Sequence, residues 1–158
     1  MTTTVVSKKF YSVTRFVNEF KSKFDLTGFK QLMIYFDIDE MFDCKTGAIA
    51  VKPLMIICGG GNNGNVKALR HKTILDLFDN NQPIITYKAT KTKIRPNKSI
   101  ANVWYMRVSI ETKTFNEFVY YPMNVMMSKN ERTINVMYQN VVNIRYKDDE
   151  EFEVDFQI

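Results

Sequence analysis

A run of basic residues stands just before an aromatic pair in the middle of the chain. The basic residues are Lys88, Lys91, Lys93, Arg95 and Lys98, and the aromatic pair is Trp104 and Tyr105. Lysine and arginine neutralise phosphates, while exposed aromatic rings stack on unpaired bases. This combination predicts a groove for single-stranded nucleic acid, which is one of two functions that the sequence favours.

Three glycines have the spacing of a dinucleotide fingerprint. Gly59, Gly61 and Gly64 form G-x-G-x-x-G after an apolar strand and before a predicted helix. In that context backbone N–H groups and a helix N-terminus hold a pyrophosphate. The strands predicted downstream have the pattern of antiparallel meanders, so no second βαβ unit follows. We therefore predict a surface loop that holds no nucleotide.

Two aspartates end the first predicted strand. Asp37 and Asp39 are similar to the first motif of haloacid-dehalogenase phosphatases, in which one aspartate attacks phosphorus and magnesium bridges the pair. That motif has a small residue after the second aspartate, whereas this chain has Glu40. We predict a solvated acidic turn at this position.

Histidine and cysteine are scarce in this chain. One histidine, His71, excludes most metal and triad chemistries, and two cysteines, Cys44 and Cys58, are too few for a zinc cluster. His71 stands between Arg70 and Lys72, with no carboxylate beside it. We predict a surface or interface histidine, cysteines that pack as small apolar groups, no cofactor or metal, and no enzymatic activity.

The composition is that of a globular domain with many aromatic residues. The chain has 158 residues, 45% hydrophobic and 25% charged, with 12 Phe, 8 Tyr and 1 Trp and a net charge of +5. We predict a single domain over residues 1–158. Because no signal peptide, long apolar run or lipidation signal is present, we expect no membrane partner. The expected location is the host cytoplasm or nucleus, or a virion.

The first predicted element is an amphipathic helix with an aromatic stripe. Its apolar residues are Val13, Phe16, Val17, Phe20 and Phe24, with Ser12 or Thr14 as the cap and Gly28 at the exit. A core-facing helix is the favoured interpretation. The alternative is an interface helix that docks on a partner subunit through Phe16, Phe20 and Phe24.

Short β-rich segments make up most of the remaining chain. A second helix is predicted over Asn65–Phe78, capped by Asn65 and ended by Asp79, Asn80 and Asn81. The predicted strands are Leu32–Ile38, Ala48–Cys58, Ile84–Lys91, Asn102–Ile110, Phe115–Tyr121, Thr133–Gln139, Val141–Tyr146 and Phe152–Ile158. Pro53 indicates an edge or a bulge. The predicted fold class is α+β, mainly an antiparallel β-sandwich or barrel with two helices packed on it.

The carboxyl end has strict period-two alternation. Phe152, Val154, Phe156 and Ile158 alternate with Glu153, Asp155 and Gln157, which predicts a half-buried strand. The preceding residues 148–151 are all acidic, and together with the hydrophobic end they resemble the acidic tails of bacterial and phage single-stranded-DNA-binding proteins. We favour the strand.

The element order also bears a resemblance to a virion protein family. A lead-in helix, a hairpin, a strand-loop-helix over Leu54–Phe78, further strands and a final alternating strand resemble the tail-tube family of contractile-tailed phages. That resemblance implies a β-sandwich or barrel that stacks into rings with one flanking helix. The stretch after Pro122 is longer than in that family. The preferred hypothesis is thus a viral or phage structural subunit whose partners are copies of itself and other assembly subunits.

Overall fold

The structure, a computed structural model, describes residues 4–36, 42–43, 48–61, 64–88, 94–95, 104–119, 141–148 and 150–157. The helices are α1 (Val13–Lys23) and α2 (His71–Leu77). The strands are β1 (Val5–Ser12), β2 (Gln31–Phe36), β3 (Phe42–Asp43), β4 (Ala48–Val51), β5 (Pro53–Gly59), β6 (Lys67–Arg70), β7 (Pro83–Lys88), β8 (Ile94–Arg95), β9 (Trp104–Ser109), β10 (Phe115–Val119), β11 (Val141–Asp148) and β12 (Glu151–Gln157). The predicted α+β class is confirmed. The predicted strand Thr133–Gln139 lies outside the described residues.

The strands form two six-stranded sheets. The first sheet has the order β11-β12-β1-β7-β4-β3, and the second sheet has the order β6-β5-β2-β9-β10-β8. Neither closes into a barrel in the described strands. Most pairs are antiparallel as predicted, but β1 pairs with β7 and β8 pairs with β10 in parallel. A parallel pair requires a long connection, and the chain between β1 and β7 passes through both sheets and both helices.

The main core lies between the two sheets and the two helices. It contains Tyr11 and Ile85 from the first sheet, Leu32 and Met106 from the second, and Phe16 from α1. A smaller cluster lies on the opposite face of the first sheet, where Phe10, Ile84, Val154 and Phe156 pack together. Neighbouring residues of β1 therefore face different clusters, since successive side chains of a strand point to opposite faces. Strand β1 has no visible pattern in the sequence, because the adjacent residues Phe10 and Tyr11 are both buried and no alternation results.

Helix α1 forms as the sequence predicts. The Ser12 Oγ accepts a hydrogen bond from the Arg15 backbone N–H at 3.1 Å, so Ser12 is the N-cap. Phe16 and Phe20 are 0% exposed and their ring centroids are 5.9 Å apart. The core-facing interpretation is thus confirmed. The interface role predicted for Phe16 and Phe20 is corrected, because both rings are inside the chain's own core, and Phe24 at the C-cap is half-buried against that core.

The second helix is shorter than predicted, and the first half of the prediction is wrong. Lys67–Arg70 form edge strand β6, which pairs antiparallel with β5. Leu69 alone is buried in it, a pattern that suits an edge strand as well as one turn of helix. Asn65 is not a cap, and α2 begins at His71. Its predicted end is confirmed, since Asp79 and Asn80 adopt φ of 55° and 62° and leave the helical region.

Pro53 marks the point where the chain changes sheets. Strand β4 belongs to the first sheet and β5 to the second, with Lys52 between them. The pairing of β2 with β5 shifts register between Tyr35 and Phe36, next to the Phe36–Pro53 pair. This irregularity beside Pro53 agrees with the bulge, one of the two interpretations that the proline predicts.

The carboxyl end is an ordered strand rather than an acidic tail. Strand β12 pairs with both β1 and β11. Val154 is 0% and Phe156 is 5% exposed, and Phe152 stacks on Phe10 with 4.8 Å between ring centroids. Burying each of these side chains stabilises the fold by about 1.5–3 kcal/mol. The predicted orientation of this strand is confirmed.

Candidate functional site

The predicted basic and aromatic residues fall on the connection between the two sheets. Lys91, Lys93 and Lys98 lie outside the described residues. Lys88 ends β7 in the first sheet, while Arg95 and Trp104 belong to β8 and β9 in the second; for these three the structure describes the backbone position. Tyr105 is the member of this set whose side chain is described, and it is half-buried.

Register brings part of this set together on the second sheet. Tyr105 pairs with Tyr35 on one side and with Val119 on the other, and Val119 pairs with Arg95. The rings of Tyr35 and Tyr105 have centroids 5.1 Å apart. Burial and the neighbouring Tyr105 raise the pKa of Tyr35 above 10.0, and Arg107 lowers it in part. Because Tyr35 is 7% exposed, its ring is a packing group rather than an open stacking surface.

The glycine-rich loop joins two antiparallel strands, so it lacks the strand-turn-helix context of a dinucleotide fingerprint. It connects β5 to β6 instead. A Cβ atom on Gly61 would lie 1.9 Å from the Gly28 carbonyl oxygen. The Lys30 backbone N–H also donates to the Gly59 carbonyl at 2.9 Å. Gly61 therefore allows the loop backbone to approach that of Gly28 closely.

The other candidate residues form no described catalytic cluster. Asp37, Asp39, Glu40 and Cys44 lie outside the described residues. Cys58 is buried, and burial raises the pKa of its thiol to about 11, which confirms its apolar role. His71 is the first residue of α2, and its buried Nδ1 has no hydrogen-bond partner among the described residues. No group of three or more His, Cys, Asp or Glu suited to a metal ion occurs in the described part of the chain.

Strand β11 forms one end of the first sheet and is largely exposed. Six of its eight residues are exposed, including Val142 at 56% and Tyr146 at 59%. The Ile144 backbone N–H donates a hydrogen bond to the Asn143 Oδ1 at 3.0 Å. Strand β11 pairs with β12 on one side, and no other described strand pairs with it.

The basic side chains of β11 are already neutralised within the sheet. Arg145 pairs with Glu153 and Asp155, with its Nη2 at 2.9 Å from the Asp155 Oδ1. Hydrogen bonds from Arg145, and a further one from Ser7, lower the pKa of Asp155 to about 2. The Lys147 ammonium lies 3.4 Å from Glu151. The cations of this edge are therefore engaged with β12.

Arg15 ties α1 to the turn between β11 and β12. Its guanidinium lies 2.8 Å from Asp148 and 3.5 Å from Glu150. The Glu150 backbone N–H donates to Asp148, and together with Arg15 it holds the pKa of Asp148 below its usual 3.8. The acidic stretch that resembles a tail in the sequence thus joins β11 to β12, and Arg15 pairs with two of its carboxylates.

A second surface, here called the basic cleft, has a volume of about 530 Å³. The end of α1, the segment before β2 and the turn after β9 form its walls. Its charged residues are Lys21, Lys30, Lys113 and Glu111, and its apolar wall includes Phe29 and Ile110. Sequence reasoning missed this cleft because these residues come from distant segments and form no local motif.

Comparison with known proteins adds no relative. No family model, no curated protein and no solved structure matches this chain. Neither helix of the described residues is long and apolar enough to cross a membrane.

Proposed function

We propose that the chain is a non-enzymatic structural subunit that assembles with copies of itself through the edge of β11 that pairs with no described strand. The exposed edge of this strand carries the proposal. Among the edge strands that the structure describes, β11 has eight residues, β6 has four, and β3 and β8 have two each. A long edge with exposed apolar side chains is a template for pairing with another chain.

The chemistry of the β11 edge suits a second copy. The register shifts of its pairing with β12 fall near its two ends, so Asn143 to Tyr146 remain regular. Since Arg145 is paired within its own sheet, it brings no unpaired positive charge to the contact. Val142 and Tyr146 add apolar surface that a neighbouring strand would cover.

The proposed assembly is a virion or tail-type structure, following the resemblance of the element order to tail-tube proteins. Two copies of β11 related by a two-fold axis give a dimer, whereas β11 against a different edge gives a ring or filament. The proposed partners are therefore copies of the chain and other assembly subunits. The proposed location is the host cell or the virion.

Sedimentation velocity over a concentration series tests this proposal. Val142→Lys places an unpaired charge on the edge, while Val66→Lys makes the same change at a residue that is 66% exposed in the loop before β6. We expect the wild type to associate, Val142→Lys to weaken association by about tenfold or more, and Val66→Lys to resemble the wild type. A wild type that stays monomeric at high concentration contradicts the proposal, as does equal weakening by both variants.

A further inference from the structure

The basic cleft holds more positive charge than its own residues neutralise. Lys21 and Lys113 line this cleft, and Glu111 is the one acidic residue among its lining residues. Lys21 and Lys113 form no salt bridge with any described residue. By contrast, Arg145 and Lys147, which line the cleft of about 340 Å³ on the first sheet, are paired with carboxylates of β12. An anion approaching the chain therefore meets uncompensated charge at the basic cleft.

The wall beside these lysines is apolar and partly aromatic. Phe29 and Ile110 are half-buried there and pack against the main core. Gly28, with φ of 88°, places no side chain beside the Phe29 ring. Lysine ammonium groups bind phosphates as point charges, and an aromatic ring stacks on a base. The two surfaces together suit a ligand that carries both phosphates and flat rings.

The walls of the basic cleft are held in place by backbone hydrogen bonds. The Ile110 N–H donates to the Lys30 carbonyl at 2.9 Å, and the Lys30 N–H donates to Gly59. The Thr14 Oγ1 donates to the Lys113 carbonyl at 3.4 Å, which connects α1 to the turn after β9. A ligand therefore finds its cationic groups on a backbone that needs no further ordering.

We propose that the basic cleft binds single-stranded nucleic acid, with phosphates at Lys21 and Lys113 and one base against Phe29. A duplex keeps its bases stacked and paired, so only a single strand presents a free base to this ring. The site differs from the basic run Lys88–Lys98 that the sequence singled out. It is also independent of self-assembly through β11, which is measured without nucleic acid.

Fluorescence anisotropy with labelled oligo-dT over a salt series tests the cleft. The cleft variant combines Lys21→Gln with Lys113→Asn, since Asn tolerates the positive φ of 58° at residue 113. The matched control combines Lys67→Gln with Lys72→Gln, two exposed lysines that do not line the cleft. We expect the cleft variant to bind about tenfold more weakly at low salt, with a log–log slope shallower by about 1.4 than that of the wild type. The control should keep the wild-type slope.

A third variant separates base stacking from charge. Phe29→Leu keeps the apolar packing and should weaken oligo-dT binding about tenfold without changing the salt slope. Three results overturn the proposal: no oligo-dT binding at low salt, equal losses in the cleft and control variants, or loss of binding only in Lys91→Gln with Lys93→Gln. Thermal melting of each variant by circular dichroism shows that the fold is retained.

Discussion

Gly61 lies against the backbone of Gly28, and this contact gives a structural reason for one glycine of the loop. The conformation of Gly61 does not require glycine, since its φ is not in the left-handed region. Space is the constraint, because a Cβ atom would meet the Gly28 carbonyl oxygen at 1.9 Å. The loop therefore needs glycine for packing, which is a different requirement from pyrophosphate binding.

Gly61→Ala should consequently destabilise the fold by about 1–3 kcal/mol, as overpacked sites do. Gly59→Ala is the matched control, because a Cβ atom there has no neighbour within 4 Å and the backbone is not strained. Urea unfolding of the two variants checks this. Equal stability of both variants would show that the loop moves away from Gly28 at little cost.

Asp155 is the residue whose ionisation is most closely tied to the native contacts of β11. Arg145 and Ser7 lower its pKa from 3.8 to about 2. A carboxyl with a lowered native pKa stabilises the fold above its unfolded pKa, and this contribution is lost as the pH falls towards the native value. Asp155→Asn should therefore be less stable than the wild type at neutral pH, with the difference shrinking as the pH falls from about 4 to about 2.

Thermal midpoints measured from neutral pH down to about 2 test the role of Asp155. Asp76→Asn, on the exposed side of α2, is the control for the loss of one negative charge. If the wild type and Asp155→Asn lose stability in parallel over the acidic range, Arg145 does not hold this carboxylate in solution.

At the scale of elements, α1 begins where its cap allows. Ser12 accepts a hydrogen bond from the Arg15 N–H, which satisfies one of the donors that a helix leaves free at its first turn. Ser12→Ala should lower the free energy of unfolding by about 1 kcal/mol. Ser22→Ala on the same helix is the control, since its hydroxyl bonds only to the exposed Glu19 carbonyl. If Ser12→Ala lowers the free energy of unfolding by less than Ser22→Ala does, another group caps the helix.

The elements that the sequence predicted well are those with a clear period. Helix α1 and strand β12 bury one face each, so their patterns were visible in the residues. Strand β1 buries Phe10 and Tyr11 on opposite faces and shows no alternation. For β6, one buried residue in four fits either a helical turn or a strand, and pairing with β5 decides the outcome. The basic cleft joins Lys21 to Lys113, a proximity that only the tertiary fold creates.

At the scale of the whole molecule, three strands of the first sheet connect the two hydrophobic clusters. Adjacent residues of β1, β4 and β7 contribute to different clusters: Phe10 and Tyr11, Ala50 and Val51, Ile84 and Ile85. A disturbance of one cluster therefore displaces strands that form the other. The single domain predicted for residues 1–158 should for this reason unfold as one cooperative unit.

Val154→Ala tests this cooperativity, because it opens a cavity in the cluster on the outer face of the first sheet. We expect a cost of about 2 kcal/mol from the lost apolar contacts. The chain's one tryptophan, Trp104, belongs to β9 of the second sheet, so its fluorescence reports on the other sheet. If the domain is one unit, urea transitions followed by tryptophan fluorescence and by far-ultraviolet circular dichroism coincide in the wild type. Both transitions then shift equally in Val154→Ala.

Val108→Ala, in the main core beside Leu32, is the reciprocal variant and should shift both signals in the same way. A fluorescence transition that Val154→Ala leaves unchanged would instead mean that the first sheet unfolds separately from the second.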